Sequence, residues 1–203
     1  MFSEKDFKVA KKSIDKDLAD FIYNYFMLKR ECYQTLVSKG WISEHTPLWG
    51  TYEDKQVPNT YSFYADICME TLLQKLLSEM EMQTGLNLVP TYSYARIYKK
   101  GDVLERHIDR ASCAISCTMF LGGEKWPIYL QDKDGTEHKV DLEQGDMLIY
   151  KGDKLDHWRD KFEGEHCVQV FLHYNDKEDY STDHGPIKYD GRLHLGLPKG
   201  MNE

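Results

Sequence analysis

The sequence has no run of 18 apolar residues, the length a membrane-crossing helix needs, and Met1 to Lys12 carry Lys and Asp where a secretory leader would be apolar. These absences predict a protein with no membrane partner that stays in the cytoplasm where it is made. Basic charge is short as well, with 26 Lys and Arg against 34 Asp and Glu and a net charge of −8. The average surface therefore repels a polyanion, and no Lys/Arg stripe offers one a track, so nucleic acid is not an expected partner. Cysteine is sparse and odd in number: Cys32, Cys68, Cys113, Cys117 and Cys167 follow no repeating spacing. That distribution fits reduced core thiols and excludes a disulfide framework. The closest pair, Cys113 and Cys117, would stand ~13 Å apart on a strand, too far for a bridge or a shared metal.

What is present is a chain of 203 residues, 41% hydrophobic and 30% charged, long enough to bury roughly 70% of its unfolded surface. The predicted unit is a single domain over 1–203: a helical support over 1–85, a β core over 86–175 and a tail over 176–203. From Asp17 to Lys39 the apolar residues Leu18, Phe21, Ile22, Tyr25, Phe26 and Cys32 recur at three- and four-residue steps, one face of an amphipathic helix that Gly40 stops. A second helix is predicted over Ala65 to Thr84, with Met69, Leu72, Leu73, Leu76, Leu77 and Met80 on its buried stripe and Gly85 at its end. Ser43 to Ser62, between them, has no period but carries Trp49, Tyr52 and Tyr61. A loop this long in a small domain reads as an ordered flap, whose Trp49 or Tyr52 is expected at a cavity when it closes.

Beyond Leu86 the texture changes to short alternating runs broken by Gly and Asp, the mark of an antiparallel sandwich or barrel. Strands are predicted at Val89–Tyr98, Val103–Asp109, Ala114–Leu121, Pro127–Gln131, Glu137–Leu142, Asp146–Tyr150, His157–Phe162 and His166–Tyr174. Asp134-Gly135 is a hairpin turn; a calcium-loop reading of the same run lacks the closing Glu. On a regular strand Val103, Glu105, His107 and Asp109 share one face, away from Leu104, Arg106 and Ile108. An imidazole and a carboxylate two residues apart then point the same way, and His157, opening a later strand, offers a third ligand. Two His and one carboxylate leave three positions of an octahedral ion open, the arrangement non-haem Fe(II) oxygenases use.

The surroundings sharpen this. Tyr94, Arg96, Tyr98 and Gly101 lead into His107-Ile108-Asp109, and Gly145-Asp146-Met147-Leu148-Ile149-Tyr150 precedes His157. From Thr91 to Tyr174 the chain resembles the Fe(II)/2-oxoglutarate-dependent dioxygenases, in their prolyl 4-hydroxylase-like branch. The resemblance implies a double-stranded β-helix (jelly roll, cupin-like) core flanked by two long helices. It also implies oxidative decarboxylation of 2-oxoglutarate to succinate and CO2, coupled to hydroxylation of an aliphatic carbon, such as a prolyl or other amino-acid side chain, in a peptide or small-molecule substrate. Fe(II), 2-oxoglutarate and O2, with ascorbate as a reductant, are the implied cofactors; His107, Asp109 and His157 are the implied metal ligands and Tyr98 a cosubstrate contact. One piece departs. Aligning Gly164 with the family's glycine puts His166 where many members carry an Arg or Lys for the far carboxylate of 2-oxoglutarate. Imidazole is a weaker substitute, so Arg159 and Arg96 rank close together as that cation and His166 third. By the same count Gln169, Phe171 and His173 lie outside the barrel, and His138, His173, His184 and His194 read as packing or surface residues. Trp158 should point away from the metal, and Arg110 reads as solvated. A non-oxidative cupin-like metal-binding or carbohydrate-binding module is the rival, since the fold alone does not separate the two.

Overall fold

Asp15 begins the long helix by accepting a hydrogen bond from the Leu18 amide, and Gly40, at φ +67°, ends it. The Gly40 N–H donates to Val37 and the Trp41 N–H to Leu36, so the last carbonyls are satisfied by a left-handed glycine cap. In the computed structural model, which describes residues 2–46 and 48–179, this helix is α2 (Lys16–Ser38). It follows a short α1 (Phe2–Lys5) and strand β1 (Phe7–Ala10). Next come β2 (Tyr61–Tyr64), α3 (Ile67–Lys75) and α4 (Leu77–Thr84). The single long helix expected over Ala65–Thr84 is thus two shorter ones, interrupted at Leu76 (φ −89°, ψ −1°) although the Leu76 and Met80 amides still bond four residues back. Only α2 is long.

The core strands are β3 (Leu88–Lys99), β4 (Leu104–His107), β5 (Ile115–Gly123), β6 (Ile128–Gln131), β7 (Glu137–Val140), β8 (Met147–Tyr150), β9 (His157–Arg159) and β10 (His166–Asp176). They form a six-stranded sheet in the order β1-β8-β5-β10-β3-β2 and a four-stranded sheet in the order β4-β9-β6-β7, with every pairing antiparallel. This is the expected double-stranded β-helix. The edge strands β1 and β2, four residues each, extend the larger sheet from within the segment read as helical support and flap. The tail beyond Asp179, with His184 and His194, lies outside the described residues.

Two apolar layers result. Ala19, Ile22 and Phe26 of α2 and Met69, Leu72 and Leu73 of α3 pack on one face of the larger sheet, against Ile115, Cys117, Met119, Val168, Val170 and Leu172. Between the sheets lie Leu104, Phe120, Trp126, Ile128, Leu130, Leu148, Leu155 and Phe162. Alternation along β10 decides which side chains enter the barrel. Val168, Val170, Leu172 and Tyr174 face the helices, so Cys167, Gln169, Phe171 and His173 face inward. His166 therefore falls on the helix side, opposite to its predicted placement, and Phe171 and His173 come inside.

Candidate metal centre

Strands β4 and β9 pair so that His107 stands directly opposite His157, with ring centroids 4.3 Å apart. The register shifts between Leu104 and His107, and that bulge alters the expected face. Leu104 turns inward to line the same cavity as His107, while Glu105 and Arg106 are exposed. β4 ends at His107, and Asp109 is fixed beyond it by its amide, which donates to the Gly152 carbonyl at 2.8 Å. Arg106 lies on the outer face, ion-paired to Glu137 and Asp156 and stacked over Trp158, which likewise points away from the centre.

The His107 Nδ1–H donates to the Glu105 carbonyl at 2.6 Å and the His157 Nδ1–H to the Leu155 carbonyl at 2.9 Å. A carbonyl can only accept, so each imidazole keeps its proton on Nδ1 and presents Nε2 to the centre. Asp109 Oδ1 lies 3.6 Å from Nε2 of His107 and 3.5 Å from Nε2 of His157, and the three ligand atoms fall within 4.8 Å of one another. Two lone pairs and a carboxylate converging at that range repel unless a cation or a proton sits among them. Burial disfavours charge on His107, but Asp109 and the Glu105 carbonyl outweigh it and raise its pKa above the ordinary imidazole value. Burial likewise works against the Asp109 carboxylate, and His107 and His157 outweigh it, holding the group well below the usual carboxylate range. The donor set fits a borderline dication such as Fe(II).

Gly152 closes the back of the site. A Cβ there would stand 2.6 Å from both the Cys113 carbonyl and Ser116 Oγ and would also strike Asp109 Oδ2. Sequence reasoning missed this residue; its only signal is a glycine shortly before His157.

A cavity of about 360 Å³ opens from the centre, walled by Tyr64, Tyr92, Tyr94, Tyr98, Tyr150 and Phe171. Of the predicted flap, Asp54 and Gln56 reach it. Trp49 and Tyr52 do not: Trp49 lies by Lys29, and Tyr52 packs on Tyr33 and Tyr61 at the helical layer. The Gln56 amide donates to His107 Nε2 at 3.0 Å, and Asp54 pairs with Arg96 Nη2 at 2.5 Å and accepts from the Tyr94 hydroxyl. Arg96 also donates to Gln56 Oε1 at 3.2 Å and to the Tyr98 hydroxyl at 3.1 Å. It is thus a buried cation already neutralised by the flap. Arg110 guards the mouth, its guanidinium 4.9 Å above the Tyr92 ring.

Arg159 is 1% exposed and has no carboxylate partner among the described residues. One Nη donates to the Trp126 carbonyl, the other reaches Thr118 Oγ1 at 3.5 Å, and Nε has no acceptor. Burial lowers its pKa. The guanidinium lies 5.2 Å from the Trp126 ring, which packs edge-on against Tyr98 of the cavity wall, and Arg159 itself does not line the cavity. His166 stands elsewhere, its Nε2 2.7 Å from the Tyr23 hydroxyl of α2.

No family model matches the chain, and no curated protein matches it. Solved structures do. A prolyl-4-hydroxylase from Pseudomonas putida superposes with a TM-score of 0.62 at 11% identity, over 85% of this chain and 94% of that one. HygX from Streptomyces hygroscopicus, with nickel and 2-oxoglutarate bound, gives 0.59 at 12% identity over 85% and 84%. A prolyl hydroxylase from Trichoplax adhaerens, in complex with a hypoxia inducible factor peptide, gives 0.60 at 12% over 87% and 86%. At these identities the likeness is one of fold: this chain carries the double-stranded β-helix of 2-oxoglutarate oxygenases.

Proposed function

We propose that this chain is an Fe(II)- and 2-oxoglutarate-dependent oxygenase that hydroxylates an aliphatic carbon of a peptide or small-molecule substrate. The observation that carries this reading is the convergence of Nε2 of His107, Nε2 of His157 and Oδ1 of Asp109, each imidazole fixed in the ligating tautomer, at the mouth of a jelly roll. Iron bound there with 2-oxoglutarate and O2 supplies the oxidising chemistry. The chain's own groups do the rest. His107, Asp109 and His157 would hold the metal, and three protein ligands would leave positions for the keto acid and O2. Arg159, a buried guanidinium with unfilled donors, takes the far carboxylate of 2-oxoglutarate as a charge-assisted, two-pronged partner. The Tyr98 hydroxyl, held by Arg96, orients the cosubstrate from the side wall. Asp54 and Gln56 bring the flap over the opening and keep bulk water from the reacting groups. The tyrosine-rich wall supplies apolar faces with polar tips, suited to a side chain or small metabolite.

Turnover of 2-oxoglutarate to succinate by the purified protein with added Fe(II) under air, without substrate, tests the reading. Slow succinate release is expected, abolished together with iron binding in His107→Ala, Asp109→Ala and His157→Ala. Iron bound without any succinate would return the chain to a non-oxidative module of the same fold.

A further inference from the structure

The Asp109 carboxylate has two sides. Oδ1 faces the imidazoles of His107 and His157, whereas Oδ2 turns to Ser116 Oγ at 3.1 Å. On that second side stand Cys113, in the tight turn Ala111–Cys113 just after Asp109, and His173, on the inward face of β10. One ligand atom each from Asp109, Cys113 and His173 lies within 4.8 Å of the others, a second convergent set beside the first. Cys113 is 2% exposed and His173 5%, yet both line the cavity, so an ion has a route in. Ser116 Oγ organises the set: it lies 2.8 Å from His173 Nδ1, 2.9 Å from the Cys113 carbonyl and 3.1 Å from Asp109 Oδ2. A hydroxyl bonded to an imidazole and a carboxylate at once fixes both ligands, as outer partners of metal ligands do. The Tyr92 hydroxyl, 3.0 Å from Cys113 Sγ, holds the sulfur on the cavity side.

The ligand types differ from those of the first set in a way that selects a different ion. A thiolate, an imidazole and a carboxylate suit zinc, whose tetrahedral shell would keep one position for water, whereas two imidazoles and a carboxylate without sulfur suit harder Fe(II). We propose that Asp109, Cys113 and His173 form a second cation site, selective for thiophilic dications of the zinc class, in which Asp109 is the carboxylate shared with the His107–His157 site. On binding, the Cys113 thiol releases its proton to solvent as the metal–sulfur bond forms, with no change of oxidation state. Because the carboxylate is common to both sets, with Oδ1 toward the first and Oδ2 toward the second, an ion on Cys113 and His173 weakens the hold of Asp109 on an ion in the first set without displacing it, and zinc lowers iron-dependent turnover by acting beside the iron ligands. The site itself stands apart from the oxygenase reading, since metal binding to it needs no turnover, whereas the effect of zinc on turnover rests on that reading.

Cobalt(II) titration of the metal-free full-length protein, under nitrogen with a thiol-free reductant, is the test. Two equivalents per chain are expected, one of them giving a near-ultraviolet thiolate-to-cobalt absorption that zinc abolishes. Cys113→Ser should lose that absorption and one equivalent but keep the other; His157→Ala should keep the absorption. Should Cys113→Ser fail to fold, His173→Asn, which preserves a side-chain amide for Ser116, should weaken the same absorption at least tenfold in cobalt affinity. A single equivalent without thiolate absorption, or an absorption undiminished in the Cys113 and His173 variants, overturns the second site while leaving the first intact.

Discussion

Replacing Arg159 by Met separates a cation held for a ligand from one held for the fold. Among the described residues Arg159 is buried with no carboxylate partner, one backbone carbonyl, a long contact to Thr118 Oγ1 and an unbonded Nε. A buried charge so thinly compensated carries a desolvation penalty of several kcal/mol, whereas its hydrogen bonds return about 1.5–3 kcal/mol each at best. A methionine of similar length keeps the packing against Trp126 and removes that penalty. Arg159→Met should therefore leave the melting temperature of the cosubstrate-free protein unchanged or raise it. Under the proposed reading the same change removes both prongs on the far carboxylate of 2-oxoglutarate, about 2–4 kcal/mol for a buried charge-assisted pair, or roughly 30- to 1000-fold in affinity. Thermal-shift titration with Mn(II) and 2-oxoglutarate, and the KM for 2-oxoglutarate in succinate release, read the two effects separately. Arg96→Met should behave oppositely, because it strands Asp54: the free protein loses stability and the KM moves only a few-fold. A large fall in melting temperature for Arg159→Met with unchanged cosubstrate affinity would refute the assignment and make Arg159 a structural cation.

Three further outcomes follow from the centre's geometry. Gly152→Ala drives a methyl against Asp109 and Ser116, so Mn(II) affinity should drop at least about tenfold with the fold retained; unaltered affinity would show that the backbone there yields freely. Gln56→Leu removes the amide that competes with a metal for His107 Nε2; at about 0.5–1.5 kcal/mol net for such a bond, Mn(II) should bind roughly twofold to tenfold tighter, and weaker binding would make Gln56 a supporter of the site. The raised pKa of His107 gives metal-free protein a stabilisation that is complete below the unfolded imidazole value of about 6.5 and is lost as pH rises through the folded value. The depressed pKa of Asp109 adds a contribution present above about pH 4 and lost only as pH falls toward its folded value. Metal binding requires the neutral imidazole, so the gap in melting temperature between Mn(II)-loaded and metal-free protein should widen from about pH 6 to about pH 8; a constant gap would contradict the linkage.

The sequence singles out His107, Asp109 and His157 as a set, and the structure brings their donor atoms together, because residue type and order survive local irregularity. The reason offered for their shared direction was incomplete: a regular strand over Val103–Asp109 would turn Leu104 outward, and the bulge before His107 turns it inward. Parity misled more seriously on the last strand, where one assumed contact, His166 in the basic slot, reversed every side chain after it. Val168, Val170 and Leu172 carried the opposite cue, since an aliphatic alternation in a sheet backed by helices marks the helix face, and the mixed set Gln169, Phe171, His173 marks the interior. β1 and β2 were illegible for another reason. Phe7–Ala10 and Tyr61–Tyr64 stand outside the succession of alternating runs that begins after Leu86, next to stretches of helical period, and they exist because neighbouring β8 and β3 offer them edges. Asp54 and Gln56 were hidden among the flap's aromatics, which drew the expectation to Trp49 and Tyr52; those rings instead anchor the loop to the helical layer and leave its polar residues to reach the cavity.

That division of labour in the flap bears on how, under the proposed reading, a chain with two buried arginines near the centre would bind a dicarboxylate in one orientation. Two bare guanidiniums beside one metal would offer the far carboxylate two rival anchors, and the cosubstrate could settle across the opening as readily as along the barrel. Asp54 removes the rivalry. By pairing with Arg96, which it meets together with Tyr94 and Gln56, it leaves that cation neutralised on the side of the mouth. Arg159, stacked on the Trp126 ring that packs against Tyr98, meets no carboxylate among the described residues. Under the proposed reading the far end of 2-oxoglutarate is then drawn inward past the metal, its keto-acid end meets the ligands, and the face toward Tyr64, Tyr92 and Phe171 stays open for the substrate. On that reading the flap selects the cosubstrate's direction by occupying, through Asp54, the cation it must not use.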